Sequence, residues 1–333
     1  MQLVINTYGT YVHIKDDMFE IRQKKEDQIQ KHHFSSRKVQ SILISKGSAI
    51  SSDAIILAMK NNIDIVVLEN DGTPVGRFWH SRPGSTTKIR KEQLETSMNE
   101  NGLTWVKEWL ANKLNNQTGF LKNLKKNRAG KADEIEEAIT TISNLKEKIS
   151  KTEGKSVADV ESSLRGLEGT AGRVYFGILS KLLSEPYRFS GRSFRPAQDP
   201  FNAFLNYAYG ILYSRVEKAL TIAGLDPFVG FMHRDDYNMK SLVFDFIEPY
   251  RIFAEEVVFK LFSAKKVAKK HYDKITNGIT LNTEGKKLLV EHFFRFFEED
   301  KIRHKGRNQT RANILQLDAH NFANTLIRKN SKS

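Results

Sequence analysis

His233, Asp245 and Glu248 fall within one stretch, FVGFMHRDDYNMKSLVFDFIEPYR (residues 228–251), where an imidazole and carboxylates are set among apolar and aromatic residues. Together they form a donor set for a divalent cation. His233 follows a break made by Gly224, Pro227 and Gly230. Asp245 and Glu248 are three residues apart, so on a continuous helix both project from one side. Pro249 works against that arrangement, because it marks a kink or the start of a new helix. Taken singly, a loop histidine is more often a structural residue than a ligand, and the same holds for an acidic pair. A site therefore needs another carboxylate and a charged partner.

Glu168 supplies the carboxylate. Val157, Val160, Leu164, Leu167, Ala171, Val174 and Ile178 recur at three- and four-residue steps, which predicts a core helix with Glu168 beside its apolar seam. A carboxylate at a seam needs a cation, because an unpaired buried charge is costly. Gly166, Gly169 and Gly172 surround it, although each glycine costs a helix interior roughly 1 kcal/mol relative to alanine. Either another helix packs closely against that face, or a metal-bound phosphate approaches the backbone.

The elements that must position these residues can be read in order. The 333 residues exceed the ~150 of an average domain, which favours two domains. Residues 2–6, 10–14 and 18–22 read as strands of a meander, and a strand at 42–45 leads to Ser51 and Ser52 as caps of one short helix. IDIVVL follows as a strand, and Asn70-Asp71-Gly72 turns the chain into PVGRFW. At RPGSTTKIRKEQLETSMNE the strand pattern stops. The expected class is α+β: a small β-rich domain with one helix over 1–85, a linker over 86–100, and a larger all-α domain over 101–328. In the latter, 104–127 and 134–151 read as a helical hairpin. Asp199 and Pro200 open a helix that Gly224 and Pro227 end, and a helix continues from Glu248. Thr283 caps a helix whose Leu289, Phe293, Phe296 and Phe297 form a packing stripe, and a last helix runs to about Arg328.

Charge narrows the partners. There are 53 Lys plus Arg against 39 Asp plus Glu, a formal charge of +14, and the pI is near 9.6. Such an excess favours a polyanion, nucleic acid before acidic membrane. Arg192 and Arg195 flank Phe194 ahead of the Asp199 helix, and KIRHKGRNQTR (301–311) is the densest basic run. Arg173, Arg192, Arg195, Arg251, Lys301, Arg303, Lys305 and Arg307 are the expected DNA contacts; for Arg192, Arg195 and the basic run a solvated surface is the alternative. No segment is apolar enough to span a membrane and the start does not resemble a secretory signal, so a soluble cytoplasmic protein is expected. Without cysteine, a metal must be held by carboxylate, imidazole and water, which favours Mg2+ or Mn2+.

LEGTAGRVYF, FRPAQDPFNAFLNYAYGIL and GLDPFVGFMHRDDYNMKSLVFDFIEPYR together resemble the CRISPR-associated integrase family, the metal-dependent DNA endonucleases of spacer acquisition. The resemblance spans about residues 160–255; the strand-rich start, the RPGSTTKIRKEQLE boundary and the length also fit. It implies an N-terminal β domain, a larger helical catalytic domain, a homodimer formed through the β domains, and a small ferredoxin-like partner. It implies Glu168, in an EGxxA-like element, His233, in a GFxH-like element, and Glu248 as metal ligands. Asp245 matches a second acidic position, either a ligand or a support acting through water. Arg195-Pro196 and Asp199-Pro200-Phe201-Asn202 match further family elements.

Hard carboxylate oxygens suit Mg2+ or Mn2+, and one imidazole shifts the preference towards Mn2+. A cation there can stabilise charge on an attacked phosphodiester, with a DNA 3′ hydroxyl as nucleophile in integration and water in cleavage. An inactive DNA-binding scaffold and an RNA-directed nuclease of another fold are the competing readings. A metal-dependent cleavage assay separates the first, and competition between DNA and RNA substrates the second.

Overall fold

The computed structural model describes residues 2–25, 28–39, 41–61, 63–69, 74–78, 86–194, 196–233 and 239–329. The turn expected at Asn70-Asp71-Gly72, and Arg195 among the expected DNA contacts, lie outside the described residues. The chain divides into two compact units, Met1–Gly84 and Ser85–Ser333. The first is β-rich and the second mainly helical, which is the α+β class expected.

In the first unit, strands β1 (Gln2–Ile5), β2 (Tyr11–Lys15), β3 (Met18–Lys25), β4 (Gln28–Ser35), β5 (Ser41–Ser45) and β6 (Ala49–Ile50) precede helix α1 (Ser52–Lys60), β7 (Asp64–Leu68) and β8 (Pro74–Phe78). They form two four-stranded sheets, ordered β1-β5-β7-β8 and β4-β3-β2-β6. β1, β5 and β7 run parallel, and SILIS and DIVVL are the near-continuous apolar runs that a parallel sheet requires. α1 makes the crossover between β5 and β7. Ser51 caps it by accepting the Ala54 N–H at 3.2 Å, and Ala54 and Ala58 are buried in the core. Between β2 and β3, Asp16 and Asp17 have φ of 51° and 55°, the left-handed pair of a two-residue hairpin turn.

Two strand assignments differ from expectation. β1 is not part of the meander but pairs with β5; the meander is β2-β3-β4. β4 was not anticipated, because QIQKHHFS is mostly exposed along the sheet edge and carries no apolar alternation.

The second unit contains helices α2 (Thr86–Ser97), α3 (Glu100–Lys125), α4 (Ala132–Lys151), α5 (Glu161–Lys181), α6 (Pro200–Ile222), α7 (Ser241–Phe246) and α8 (Arg251–Ser263). Hairpin β9 (Tyr272–Ile275) and β10 (Gly278–Leu281) leads to α9 (Thr283–Phe294), and hairpin β11 (Lys301–His304) and β12 (Arg307–Thr310) to α10 (Arg311–Lys329). α3 and α4 form the expected helical hairpin, with Ile135, Ile139, Ile142, Leu145 and Ile149 buried along α4. Trp109 of α3 meets Phe231, Phe246 and Phe322 edge to face, with ring centroids 5.4, 5.8 and 5.4 Å away. These contacts tie the loop after α6, α7 and α10 to one core, each pair adding about 0.5–1.5 kcal/mol beyond its buried area.

Three further expectations change here. Residues 86–97 of the expected linker form α2, whose Gln93 is fully buried. Its side chain donates to the carbonyls of Asp226 and Val229 at 2.9 Å each and accepts the Asp226 N–H at 2.9 Å. The second unit is not purely helical: the basic run 301–311 is chiefly the hairpin β11-β12, turned at Lys305 and Gly306 with φ of 47° and 80°. The α9 cap is Asn282 rather than Thr283, through an Oδ1 that accepts the Gly285 N–H at 3.1 Å.

Candidate metal and DNA site

Glu168 lies on α5, while Glu248 opens a single 3-10 turn, Glu248–Tyr250, between α7 and α8. Pro249 ends the run from α7, since it has no N–H to continue a helix. The break separates the two acids that spacing placed on one side: Asp245 turns back into the preceding loop, and Glu248 faces α3. There the ammonium of Lys113, on α3, touches both Glu168 Oε1 and Glu248 Oε2, the latter at 2.7 Å. Arg251 completes the cluster, with its Nε and Nη2 each 2.8 Å from Glu248 Oε1.

Burial sets the electrostatics. Glu248 and Lys113 have side chains only 6% and 8% exposed, against 28% for Glu168. Desolvation alone would raise the Glu248 carboxyl; the charges of Arg251 and Lys113 outweigh it and hold the pKa at about 2. Desolvation likewise works against the Lys113 ammonium, yet Glu248 and Glu168 raise its pKa above the ordinary lysine value. The cluster thus sets two carboxylates against two cationic side chains. Glu248 Oε2 still lacks a hydrogen bond of good geometry, the Lys113 contact being an ion pair without alignment.

His233 and Asp245 form the second half. The Asp245 carboxylate is buried and accepts four N–H groups: Phe231 and Met232 to Oδ2 at 2.6 and 3.0 Å, and the His233 backbone and Nδ1 to Oδ1 at 3.1 and 2.6 Å. Holding the proton on Nδ1 leaves the Nε2 lone pair of His233 available to a metal or a donor. The four N–H groups engage the acceptor capacity of Asp245, and the carboxylate orients the imidazole. The loop bends because residue 230 is glycine; a Cβ there would sit 2.8 Å from the His233 carbonyl oxygen and collide with Ser241. Arg165, one turn ahead of Glu168, donates to the Met232 carbonyl at 3.1 Å and ties α5 to this loop.

The structure thus brings Glu168 to Glu248 through Lys113, and His233 to Asp245. Among the described residues, no three His, Asp or Glu side chains converge closely enough to hold a metal as they stand. Lys113 was missed in the sequence, where it is one lysine among many on a basic helix. Its signal is its position within the apolar face of α3, between Leu110 and Leu114.

Beside Glu168 opens a cavity of about 470 Å³ lined by Lys113, Glu168, Gly169, Gly172, Arg192 and Arg251. A Cβ on Gly166, Gly169 or Gly172 would meet nothing within 4 Å among the described residues, so no described helix packs against these positions. Arg192 is held over the Phe176 and Tyr209 rings, 5.4 and 5.5 Å from their centroids, and donates to Asn202 and Asn206. Arg251 lies over Tyr209 and Tyr213 at 5.0 and 5.8 Å. Tyr209 donates to the buried Glu255 at 2.7 Å, and its phenol is pushed well up by burial and by that carboxylate. Arg173 is exposed on α5. Lys301, Arg303, Lys305 and Arg307 are exposed on the β11-β12 hairpin, with Lys305 paired to Asp318 at 3.1 Å.

The donor types suit a hard divalent ion: two carboxylates, one with a poorly satisfied buried oxygen, and an imidazole whose Nε2 is not engaged among the described residues. Among the described residues no helix is long and apolar enough to cross a membrane. The family profile described as CRISPR associated protein Cas1 matches residues 3–295. A CRISPR-associated endonuclease Cas1 of Archaeoglobus fulgidus is 32% identical, over 96% of this chain and 94% of its own length. Among solved structures, a casposase bound to integration product superposes with a TM-score of 0.76 at 22% identity, over 98% of this chain and 91% of that one. The Cas6-RT-Cas1–Cas2 complex gives 0.73 at 22% identity, over 99% of this chain and 35% of that one.

Proposed function

The chain belongs to the family of CRISPR-associated protein Cas1, and from that premise we propose that it is a metal-dependent DNA endonuclease and integrase that joins short DNA ends to a CRISPR repeat. The observation that carries the reading is the pairing of Glu168 and Glu248 around one cation at the mouth of a glycine-walled cavity. Glu168, Glu248 and His233 Nε2 would hold Mg2+ or Mn2+, which supplies charge stabilisation to a phosphodiester under attack. Asp245 keeps the imidazole in its Nδ1–H form and so acts on catalysis through His233. Arg192 and Arg251, stacked on Tyr209, present fixed positive charge to a DNA backbone entering past Gly169 and Gly172. The incoming 3′ hydroxyl is the nucleophile in joining, and water in cleavage.

The same premise supports a homodimer through the first unit and a complex with the small ferredoxin-like partner, acting on double-stranded DNA in the cytoplasm. Replacing Glu168 with Gln preserves shape and removes one hard ligand charge. Metal-dependent joining of a labelled DNA end to a repeat-bearing plasmid is expected to fall by two orders of magnitude or more (~2.7 kcal/mol at ~1.36 kcal/mol per tenfold), while DNA binding at fixed salt persists. Parent-like joining by Glu168→Gln at saturating metal refutes the assignment, and an inactive parent favours the scaffold reading.

A further inference from the structure

We propose that Lys113 is a resident counter-cation of the metal site, a positioning residue that fills the space between Glu168 and Glu248 and yields it to the divalent ion. This rests on the reading of those two glutamates as ligands. Their carboxylates come from separate segments, and side by side at a largely buried cluster they would repel one another. One ammonium touches both, and its side chain is itself buried. Lys113 therefore does in the metal-free protein what a bound divalent ion would do in its place: it offsets the repulsion between the two carboxylates.

Charge counting makes the two cations alternatives. Glu168, Glu248, Lys113 and Arg251 sum to zero, so a divalent ion added with nothing displaced leaves two uncompensated positive charges in a poorly solvated cluster. Both cations border the open cavity, but Arg251 is fixed by its two contacts to Oε1 and by the Tyr209 and Tyr213 rings, whereas the ion pairs of Lys113 are to the two carboxylates that the divalent ion would take up. The ammonium has room to withdraw into that cavity, where a DNA phosphate would receive it. Metal entry, lysine exit and backbone binding then favour one another, and metal affinity is weaker than the bare carboxylates would give.

The test is Mn2+ binding to the full chain, followed by the spin-resonance signal of free Mn2+ and by thermal unfolding with and without the ion. Lys113→Met is expected to unfold at lower temperature than the parent without metal, to bind Mn2+ at least about tenfold more tightly (~1.4 kcal/mol), and to show the larger metal-induced rise in unfolding temperature. Lys113→Gln, which removes the charge but keeps a donor, is expected to do the same. Equal or weaker Mn2+ binding in both variants overturns the proposal while leaving the ligand assignment intact. If Glu168→Gln binds Mn2+ as the parent does, the ligand assignment falls and this inference with it. A Lys113 variant that unfolds without metal and folds with Mn2+ supports the replacement directly; one that stays unfolded with Mn2+ overturns it.

Discussion

Asp245→Asn isolates the support of the histidine from the binding of metal. The carboxylate accepts two N–H groups on each oxygen, whereas an amide offers one oxygen and one NH2. If the amide oxygen keeps Phe231 and Met232, its NH2 faces the His233 N–H and Nδ1. The imidazole relieves that opposition by moving its proton to Nε2, the atom proposed to meet the metal. Two hydrogen bonds to a charged group are lost, each contributing about 1.5–3 kcal/mol. Partial exposure of His233 lets water recover some of this, so a loss of about 2–4 kcal/mol of folding stability is expected. Activity should fall by ~10- to 100-fold, as for other supports of metal-bound histidine. Denaturant unfolding measures the first quantity, strand joining the second, and nitrogen chemical shifts of the ring the tautomer. A variant that keeps the Nδ1–H form and parent stability refutes the reasoning, because the carboxylate would then be dispensable to the loop.

In the first unit, Glu20 is buried and accepts from Arg22 at 2.6 Å and from His13 and His33 at 2.7 Å each; these contacts, Arg22 foremost and then His13, hold its pKa at about 2 against the desolvation that would raise it. A depressed carboxyl stabilises the fold above the unfolded pKa of 4.5 and loses that contribution as pH falls towards 2, so Glu20→Gln should lower stability at neutral pH and flatten its decline across that window. Gly172→Ala, with an open Cβ position, should raise helix stability by up to ~1 kcal/mol. Gly172→Leu should instead reduce strand joining at unchanged stability, and full joining by that variant would remove DNA from the glycine wall. Replacing Lys301, Arg303 and Arg307 by Gln should shallow the slope of log affinity against log salt by up to about 0.9 per lost duplex phosphate contact; an unchanged slope would take the hairpin off the DNA.

The residues of the candidate site are legible as candidates where chemistry alone restricts the choice. Glu168 stands out because a carboxylate beside an apolar seam demands an explanation, and His233 because Gly230 sets the loop around it. Lys113 was invisible because a lysine's meaning depends on what lies 55 residues away, and the chain offers many lysines. β4 and the β11-β12 hairpin were hidden for a related reason: their exposed strands carry charge and amide side chains instead of alternating apolar residues. The glycines of α5 were noticed, but only the empty space beside them distinguishes a wall from a packing seam.

Gln93 gives the His233 loop a mechanical anchor. Its side chain fastens α2 to the Asp226–Val229 turn by three hydrogen bonds, and that turn runs directly into the histidine loop. A displacement of α2 must either carry the turn with it or break all three bonds. α2 is also the first described segment of the second unit. The backbone leading to the imidazole is thereby held by a side chain 133 to 136 residues earlier in the chain, so the histidine's position depends on a helix that contributes nothing to the chemistry itself.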